Sequence, residues 1–425
     1  MTIAQLHSVF LRFPVICTDT RKITENCLFF ALKGDNFDGN NYALEALKKG
    51  ASHVIVDDQK LENTEESVIL VNNVLETLQQ LAKYHRLYCK AKIIGLTGSN
   101  GKTTTKELVT AVLSKKYRTI ATKGNFNNHI GVPLTLLSIT PDTEFAIVEM
   151  GANHPKEIAF LCELALPDYG YITNFGKAHL EGFGSEEGVI KAKSELYDFL
   201  IANNKFIFFN ADDPKQVSKL VAIKNKLGFS HQQQSHLSLK FLGANPYVTI
   251  KFQEVQIESK LVGSYNFTNC SAAVTIGNYF NVPTLVIKEA IENYIPNNNR
   301  SQIIDKNNSK IILDAYNANP TSMRAALENF RELKADKKIA FLGDMFELGA
   351  SAEKEHQDIA DLASKMGFDE VILIGENFYK TNTDFLKYAT FNGLEQDIKN
   401  IHTKDATILI KGSRGMALER LVDFF

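Results

Sequence analysis

Short apolar runs that each close in a Gly-, Asn- or Asp-rich turn recur along this chain, with helical pattern between them. "AKIIGLT" (91–97), "EFAIVEMG" (144–151), "DYGYITNFG" (168–176) and "NKFIFFNADDP" (204–214) form one series. "KIILDAYNANP" (310–320), "KKIAFLGDMFELG" (337–349), "EVILIGENF" (370–378) and "ATILIKGSRGM" (406–416) form a second. This rhythm is that of parallel strands joined by helical crossovers, which commits most of the chain to an α/β architecture. Between the series, "LSLKFLG", "YVTIKFQ" and "VQIESKLVG" alternate at period two and predict a small antiparallel insertion. Ahead of them, "ASHVIVDD" and "ESVILV" are short β-rich runs followed by the helical stretch "LETLQQLAKYHRLYC". At 425 residues the length suggests about three domains. The expected divisions are a small α/β N-terminal domain over 1–88, a central parallel-sheet phosphate-loop domain with the antiparallel insertion over 89–297, and a Rossmann-like α/β domain over 298–425. The polar stretch "PNNNRSQIID" is the candidate linker before the last of these.

The chain is 44% hydrophobic and 23% charged, enough for sizeable cores. Its formal net charge of -2 gives no global basic surface, which argues against a nucleic-acid partner. No apolar run approaches the roughly 20 residues that span a bilayer, and the N-terminal segment makes a poor secretion signal. Cys17, Cys27, Cys89, Cys162 and Cys270 are scattered and form no Cys-x-x-Cys pair. Reduced core thiols in a cytoplasmic protein are therefore expected, rather than a disulfide framework or a zinc site.

In "GLTGSNGKTTTKE" (95–107) a strand runs into a glycine-rich turn and then a helix. Backbone N–H groups of such a turn, with the helix N-terminus, cradle anions. Lys102 supplies a point charge to terminal phosphates, and the Thr103 hydroxyl can reach Mg²⁺. The usual pattern places a glycine five residues before the Gly-Lys pair, where Leu96 stands here; Gly98 and Gly101 would make the bend. The flanking strand and helix favour a nucleotide site over a ligand-free turn of small residues. Glu149 closes the next strand. A carboxylate there suits Mg²⁺, which takes few protein ligands, although a helix-dipole partner or a solvated acid would look the same. Asn174 closes another strand, His179 follows in a Gly-flanked loop, and Lys193 lies on the helix beyond, where it could equally be a plain lysine snorkelling over an apolar face. Further along, Asn266 and Asn269 share one face of a helix start. Arg300, Asp314, Tyr316, Asn317 and Asn319 sit in polar turns that could hold base, ribose or phosphate groups, or nothing.

Thr97, Gly98, Ser99, Asn100, Gly101, Lys102 and Thr103 resemble the Mur ligase form of the phosphate loop, Thr-Gly-x-Asn-Gly-Lys-Thr/Ser, in which the displaced glycine is a family trait. The likeness continues in order through "TDTRKITENCLFFALKGDNFDGNNYALEALKKGA", "DAYNANPTSM", "GDMFELG" and "KGSRGMALERLV", from about residue 18 to 422. It implies ATP as the nucleotide, held by 98–103, Thr104, Asn266, Asn269, Arg300 and Asp314. It implies two magnesium ions with Thr103, Glu149, His179 and Lys193 as ligands, Lys193 being carbamylated by CO₂. Lys102, His179 and Lys193 would be the catalytic side chains. "DAYNANPTSM" and "GDMFELG" resemble the branch that joins D-alanyl-D-alanine to UDP-N-acetylmuramoyl-tripeptide. Thr20 and Arg21 would then meet the UDP-sugar substrate. Asn317, Lys411, Ser413 and Arg414 would meet the peptide or the incoming dipeptide, although the last three could also be an ordinary helix start. A cytoplasmic monomer acting on small molecules follows from the same likeness. The sequence departs from the family at Leu313 and Ala315, where paired acids are frequent around Asp314, at Asn40, where histidine is common, and at Thr18 and Thr20, where serines are frequent. Another Mur ligase, a folylpolyglutamate synthase, or a nucleotide-dependent regulator that forms no amide would share parts of this pattern.

Overall fold

The computed structural model describes residues 1–296 and 299–425, so the division expected between 297 and 298 lies outside the described residues. The chain packs as two compact units interleaved in sequence, one built from 1–96, 117–151 and 157–170, the other from 97–116, 152–156 and 171–425.

In the first unit, Thr2 and Gln5 form a capping box that starts the helix Ile3–Arg12, whose Leu6, Val9 and Phe10 are buried. Four short parallel strands follow, Ile16–Cys17, Leu28–Phe30, His53–Val56 and Val68–Leu70, adjacent in that order. Cys27, Phe29, Ala46, Val54 and Val56 lie in the core beneath them. The helix Val74–Tyr88 is capped by Asn73. Residues 92–96 of the strand Lys92–Thr97 pair in parallel with Phe145–Glu149, which pairs on its other side with Thr119–Ala121. Asn40, standing where a histidine is common, is 3% exposed. Its amide donates to Asp38 and Asp57 and accepts from the Asp57 N–H, so this residue braces the loop beside Lys33 and Asp57, themselves paired at 2.8 Å.

Helix Ile3–Arg12 docks on Val74–Tyr88 through a buried histidine pair. His85 Nε2 lies 2.7 Å from the Ile139 carbonyl, which only accepts, and so carries its proton there; His7 Nε2 then donates to His85 Nδ1 at 3.0 Å. Burial holds both imidazoles below their ordinary value of 6.5, and His85 adds repulsion at His7. A lowered folded-state value means that the unfolded chain binds the protons first, so stability is complete above pH 6.5 and declines as pH falls through the folded values. Backbone amides of 3–12 are expected to exchange faster, relative to the intrinsic rate, at pH 5 than at pH 7, and His7→Leu to remove most of that difference; hydrogen exchange read by mass spectrometry checks it.

In the second unit, Phe206–Asn210, Lys226–Ser230 and Leu237–Ala244 pair in parallel. Leu237–Ala244 then forms an antiparallel meander with Tyr247–Phe252 and Val255–Val262, so the expected insertion grows directly from the edge of the parallel strands. The C-terminal sheet has six strands in the order Gln302–Lys306, Ser309–Asp314, Thr407–Lys411, Lys338–Gly343, Glu370–Ile374, Leu386–Tyr388. All pairs are parallel except the first. Gln302–Lys306 corrects the linker reading for 302–305: these residues pair antiparallel with Ser309–Asp314 as the edge strand of the sheet. Along the central strands Ile312, Ala340, Leu342, Leu373 and Leu409 face one core, while Ile311, Leu313, Phe341, Ile372 and Ile410 face the other. Burial on both faces is why these strands read as unbroken apolar runs. Leu313, the departure next to Asp314, is 3% exposed in that second core, where a carboxylate would be costly to bury. No disulfide forms among the described residues, and all five cysteines are buried.

Candidate active site

The strand Lys92–Thr97 delivers the chain to a loop that turns on two left-handed glycines, Gly98 at φ +141° and Gly101 at φ +80°. A Cβ on Gly98 would lie 2.0 Å from Thr173 Oγ1, and one on Gly101 would lie 2.5 Å from Asn269 Oδ1. Neither space nor backbone admits another residue. Helix Lys102–Leu113 begins immediately, with Thr103 and Thr104 buried in its first turn. Lys102 Nζ donates to the Gly98 and Ser99 carbonyls at 2.6 and 3.3 Å, which places the ammonium over the loop. Asn174 clamps Asn100 at both backbone groups: its Oδ1 accepts from Asn100 N at 3.1 Å and its Nδ2 donates to Asn100 O at 3.0 Å. Thr173 Oγ1 donates to the same carbonyl, and Ser99 Oγ to Gly176 O. Asn266 and Asn269, on one face of helix Asn266–Tyr279, are buried and bonded to each other at 2.7 Å. Asn269 Oδ1 accepts from Thr105 and backs Gly101; Asn266 Nδ2 donates to Val262 O. A helix N-terminus, a glycine bend without Cβ atoms and a lysine over the loop fit a polyphosphate.

The candidate metal ligands divide between the units. Glu149, in the first, is 1% exposed, and its carboxylate accepts from Asn127 Nδ2 at 2.9 Å. Its backbone N–H donates to Thr122 Oγ1. In the second unit, His179 takes a left-handed backbone, φ +53°. Its Nδ1 is hydrogen-bonded to Glu347 Oε2, a bond that holds the Glu347 carboxyl below its ordinary range. With Nδ1 turned to a carboxylate, Nε2 is the nitrogen open to a metal. Lys193, on helix Glu186–Ala202, is fully buried, with Nζ 2.9 Å from Ala152 O and 5.1 Å from the Phe183 ring centre. A lysine snorkelling to water is thereby excluded. Among the described residues no three His, Cys, Asp or Glu side chains gather as a metal site.

At the end of strand Ser309–Asp314, Asp314 Oδ2 accepts from Lys411 Nζ at 2.6 Å and Oδ1 from Ser301 N at 3.1 Å. Lys411 is 2% exposed, so its ammonium is turned to Asp314 and the Asn317 carbonyl. Ser413 is also buried, accepting from Phe346 N and donating to Ala318 O. Of the three expected carboxylate-binding residues, only Arg414 is exposed, donating to Tyr316 OH at 3.2 Å. Arg300 stacks on the Tyr316 ring at 3.7 Å, and Asn317 is exposed beside them. Thr20 and Arg21 lie on a 3₁₀ turn capped by Asp19. Arg21 grips Asp19 through two nitrogens at 2.9 and 2.8 Å, which holds the Asp19 carboxyl down to about 2. The clamps made by Asn174, Asn127 and Glu347 escaped the sequence reading. Asn174 and Glu347 stand in segments it quoted, whereas Asn127 has no local signature.

Three family profiles match the chain: the Mur ligase family catalytic domain over 13–86, the Mur ligase middle domain over 96–277, and the Mur ligase glutamate ligase domain over 299–414. The UDP-N-acetylmuramoyl-tripeptide–D-alanyl-D-alanine ligase of Bacillus subtilis is 36% identical over 422 residues, 96% of this chain and 92% of that protein. The crystal structure of MurF from Acinetobacter baumannii superposes with a TM-score of 0.86 at 28% identity, covering 100% of this chain and 98% of that one. MurF ligase from Thermotoga maritima in complex with ADP gives 0.85 at 25% identity, covering 98% and 97%. With profiles matching in order through most of its length and a relative of this closeness aligned end to end, the chain belongs to the Mur ligase family.

Proposed function

We propose that this chain joins D-alanyl-D-alanine to UDP-N-acetylmuramoyl-tripeptide at the expense of ATP, an amide-forming step of peptidoglycan precursor synthesis. The observation that carries the reading is the end-to-end match to a ligase of that name. The loop 98–104 holds the ATP phosphates, and the likeness to a structure in complex with ADP supports the nucleotide. A free carboxylate resists amines because it is anionic and has no leaving group. Transfer of the γ-phosphoryl group to the tripeptide carboxylate makes an acyl phosphate and ADP; the dipeptide amine attacks its carbonyl, the acyl C–O bond breaks with its electron pair going to the departing phosphate, and the nitrogen gives up one proton as the amide forms. Lys102 neutralises charge on the phosphoryl group as it transfers. Thr103, Glu149, His179 and Lys193 hold magnesium, Lys193 as a carbamate; bound magnesium supplies charge neutralisation at the phosphate oxygens. Asp314, oriented by Lys411, and Arg300 with Tyr316 serve the nucleotide from the C-terminal sheet; Asn266 and Asn269 shape the loop behind Gly101. Arg414 and Asn317 offer exposed groups for the peptide or dipeptide, and Thr20 and Arg21 for the UDP-sugar. The divisions at 88/89 and 297/298 are supported by the matched spans. We place the enzyme in the cytoplasm as a monomer without nucleic-acid partners. The net charge of -2 supports the last of these, and among the described residues no helix is long and apolar enough to cross a membrane.

Phosphate release from ATP and Mg²⁺ with UDP-N-acetylmuramoyl-tripeptide, with and without D-alanyl-D-alanine, tests the reading. Release only with both substrates, and a product heavier by one dipeptide residue, is expected. Release with a single amino acid as acceptor would move the chain to a sister ligase. Release requiring neither would overturn amide formation.

A further inference from the structure

Asn100 is held from two sides. Asn174 and Thr173 fix its backbone, and its side chain meets Asn319, 219 positions later in the chain. Asn319 Nδ2 donates to Asn100 Oδ1 at 2.7 Å, and Asn100 Nδ2 reaches back to Asn319 Oδ1 at 3.5 Å. Asn319 is also the N-cap of helix Pro320–Glu332. Its Oδ1 accepts from Ser322 N at 2.9 Å, and its own N–H donates to Ser322 Oγ at 3.0 Å. One buried amide thus caps a helix of the C-terminal sheet and grips the phosphate loop one residue before the Gly101 bend. The contact has company: Lys177 N donates to Thr321 Oγ1 at 2.9 Å, Lys177 Nζ pairs with Glu355 at 2.8 Å, and His179 with Glu347.

We propose that Asn319 is a positioning residue for the phosphate loop, through which the C-terminal sheet sets nucleotide affinity. The inference rests on the reading of 98–104 as the ATP site. Gly101, without a Cβ, imposes little on the bend itself, so the loop depends on restraints from outside. Asn174 and Thr173 supply them to the main chain, and Asn319 supplies the one that anchors the side chain. Because the anchor is the N-cap, movement of helix Pro320–Glu332 pulls on the loop, and nucleotide on the loop favours the docked helix by the same factor.

Asn319→Ser isolates the effect, since serine caps a helix as well as asparagine does but is too short to reach Asn100. Three variants are compared with the wild type: Asn319→Ser, Asn100→Ala and the double. Hydrogen exchange of 98–104 is followed without nucleotide, ADP affinity by calorimetry, and stability by urea. Asn319→Ser is expected to leave the urea midpoint unchanged and to speed loop exchange several-fold. ADP binding should weaken about ten-fold, the scale of one buried hydrogen bond. The double variant should be no worse than Asn100→Ala, because both changes remove one contact. Wild-type exchange and affinity in Asn319→Ser, or additive losses in the double, would overturn the proposal. A wild type that binds no ADP would instead sink the ATP-site reading, and the nucleotide-free exchange would still decide for or against Asn319.

Discussion

Replacing Lys102 with alanine is expected to lower kcat by about 10²- to 10³-fold, the usual cost of removing one preorganised charge from a transferring phosphoryl group. The side chain starts the helix Lys102–Leu113 and lies back over the Gly98 and Ser99 carbonyls, so it needs little rearrangement to reach a phosphate in the loop. Its loss costs little fold stability: the glycines permit the bend and the Asn174 and Thr173 clamps on Asn100 restrain it, and neither clamp involves the ammonium. Lys102→Arg is expected to rescue poorly, because a planar guanidinium cannot occupy the place of a compact ammonium. Phosphate release at saturating substrates, with the urea midpoint as a control for folding, reads both effects. Unchanged kcat in Lys102→Ala would remove the loop from the chemistry.

The second large effect is expected at Lys193. Its Nζ is buried against the Ala152 carbonyl and the face of Phe183. An ammonium aimed at magnesium would be repelled by it, whereas a carbamate, formed from the neutral amine and CO₂ with loss of a proton, is an anion that can orient metal. Lys193→Ala is expected to cost at least about 10²-fold in activity, the upper range for groups that orient a metal shell, and added bicarbonate should restore none of it. Lys193→Met separates chemistry from folding. It nearly conserves volume but leaves the Ala152 carbonyl without this donor, so a loss of about 1–3 kcal/mol in stability is expected while the protein still folds and activity stays lost. A carbamate carbon resonance in wild type equilibrated with ¹³C-bicarbonate, absent from Lys193→Met, would identify the group directly. Full activity in Lys193→Ala would exclude the role.

Both predictions start from features legible in the sequence, and each is sharpened by something that is not. The strand–glycine–helix pattern at 91–113 identifies a phosphate cradle because glycine and helix signals act over a few neighbouring residues. The two series of apolar runs reveal a parallel α/β chain for the same reason, and the period-two stretch reveals the meander. The strand Gln302–Lys306 was hidden because it is half polar and follows an asparagine run; its partner Ser309–Asp314, not its composition, makes it a strand.

Side-chain partners were the illegible part. A lysine on a helix can snorkel or be buried, and only the packing of Phe183 and Ala152 decides that Lys193 is enclosed. Lys411 reads as a free cation for a carboxylate until Asp314, 97 positions away, is found against it. Leu313 reads as a lost acid until the sheet turns it into the core. By itself the sequence determined the α/β class, the phosphate loop and the membership in a ligase family, all carried by short-range pattern or by collinear motifs. Tertiary structure alone decided which polar groups face one another, as with Asn100 and Asn319, because contacts across hundreds of residues depend on how whole elements pack and leave no trace in local order.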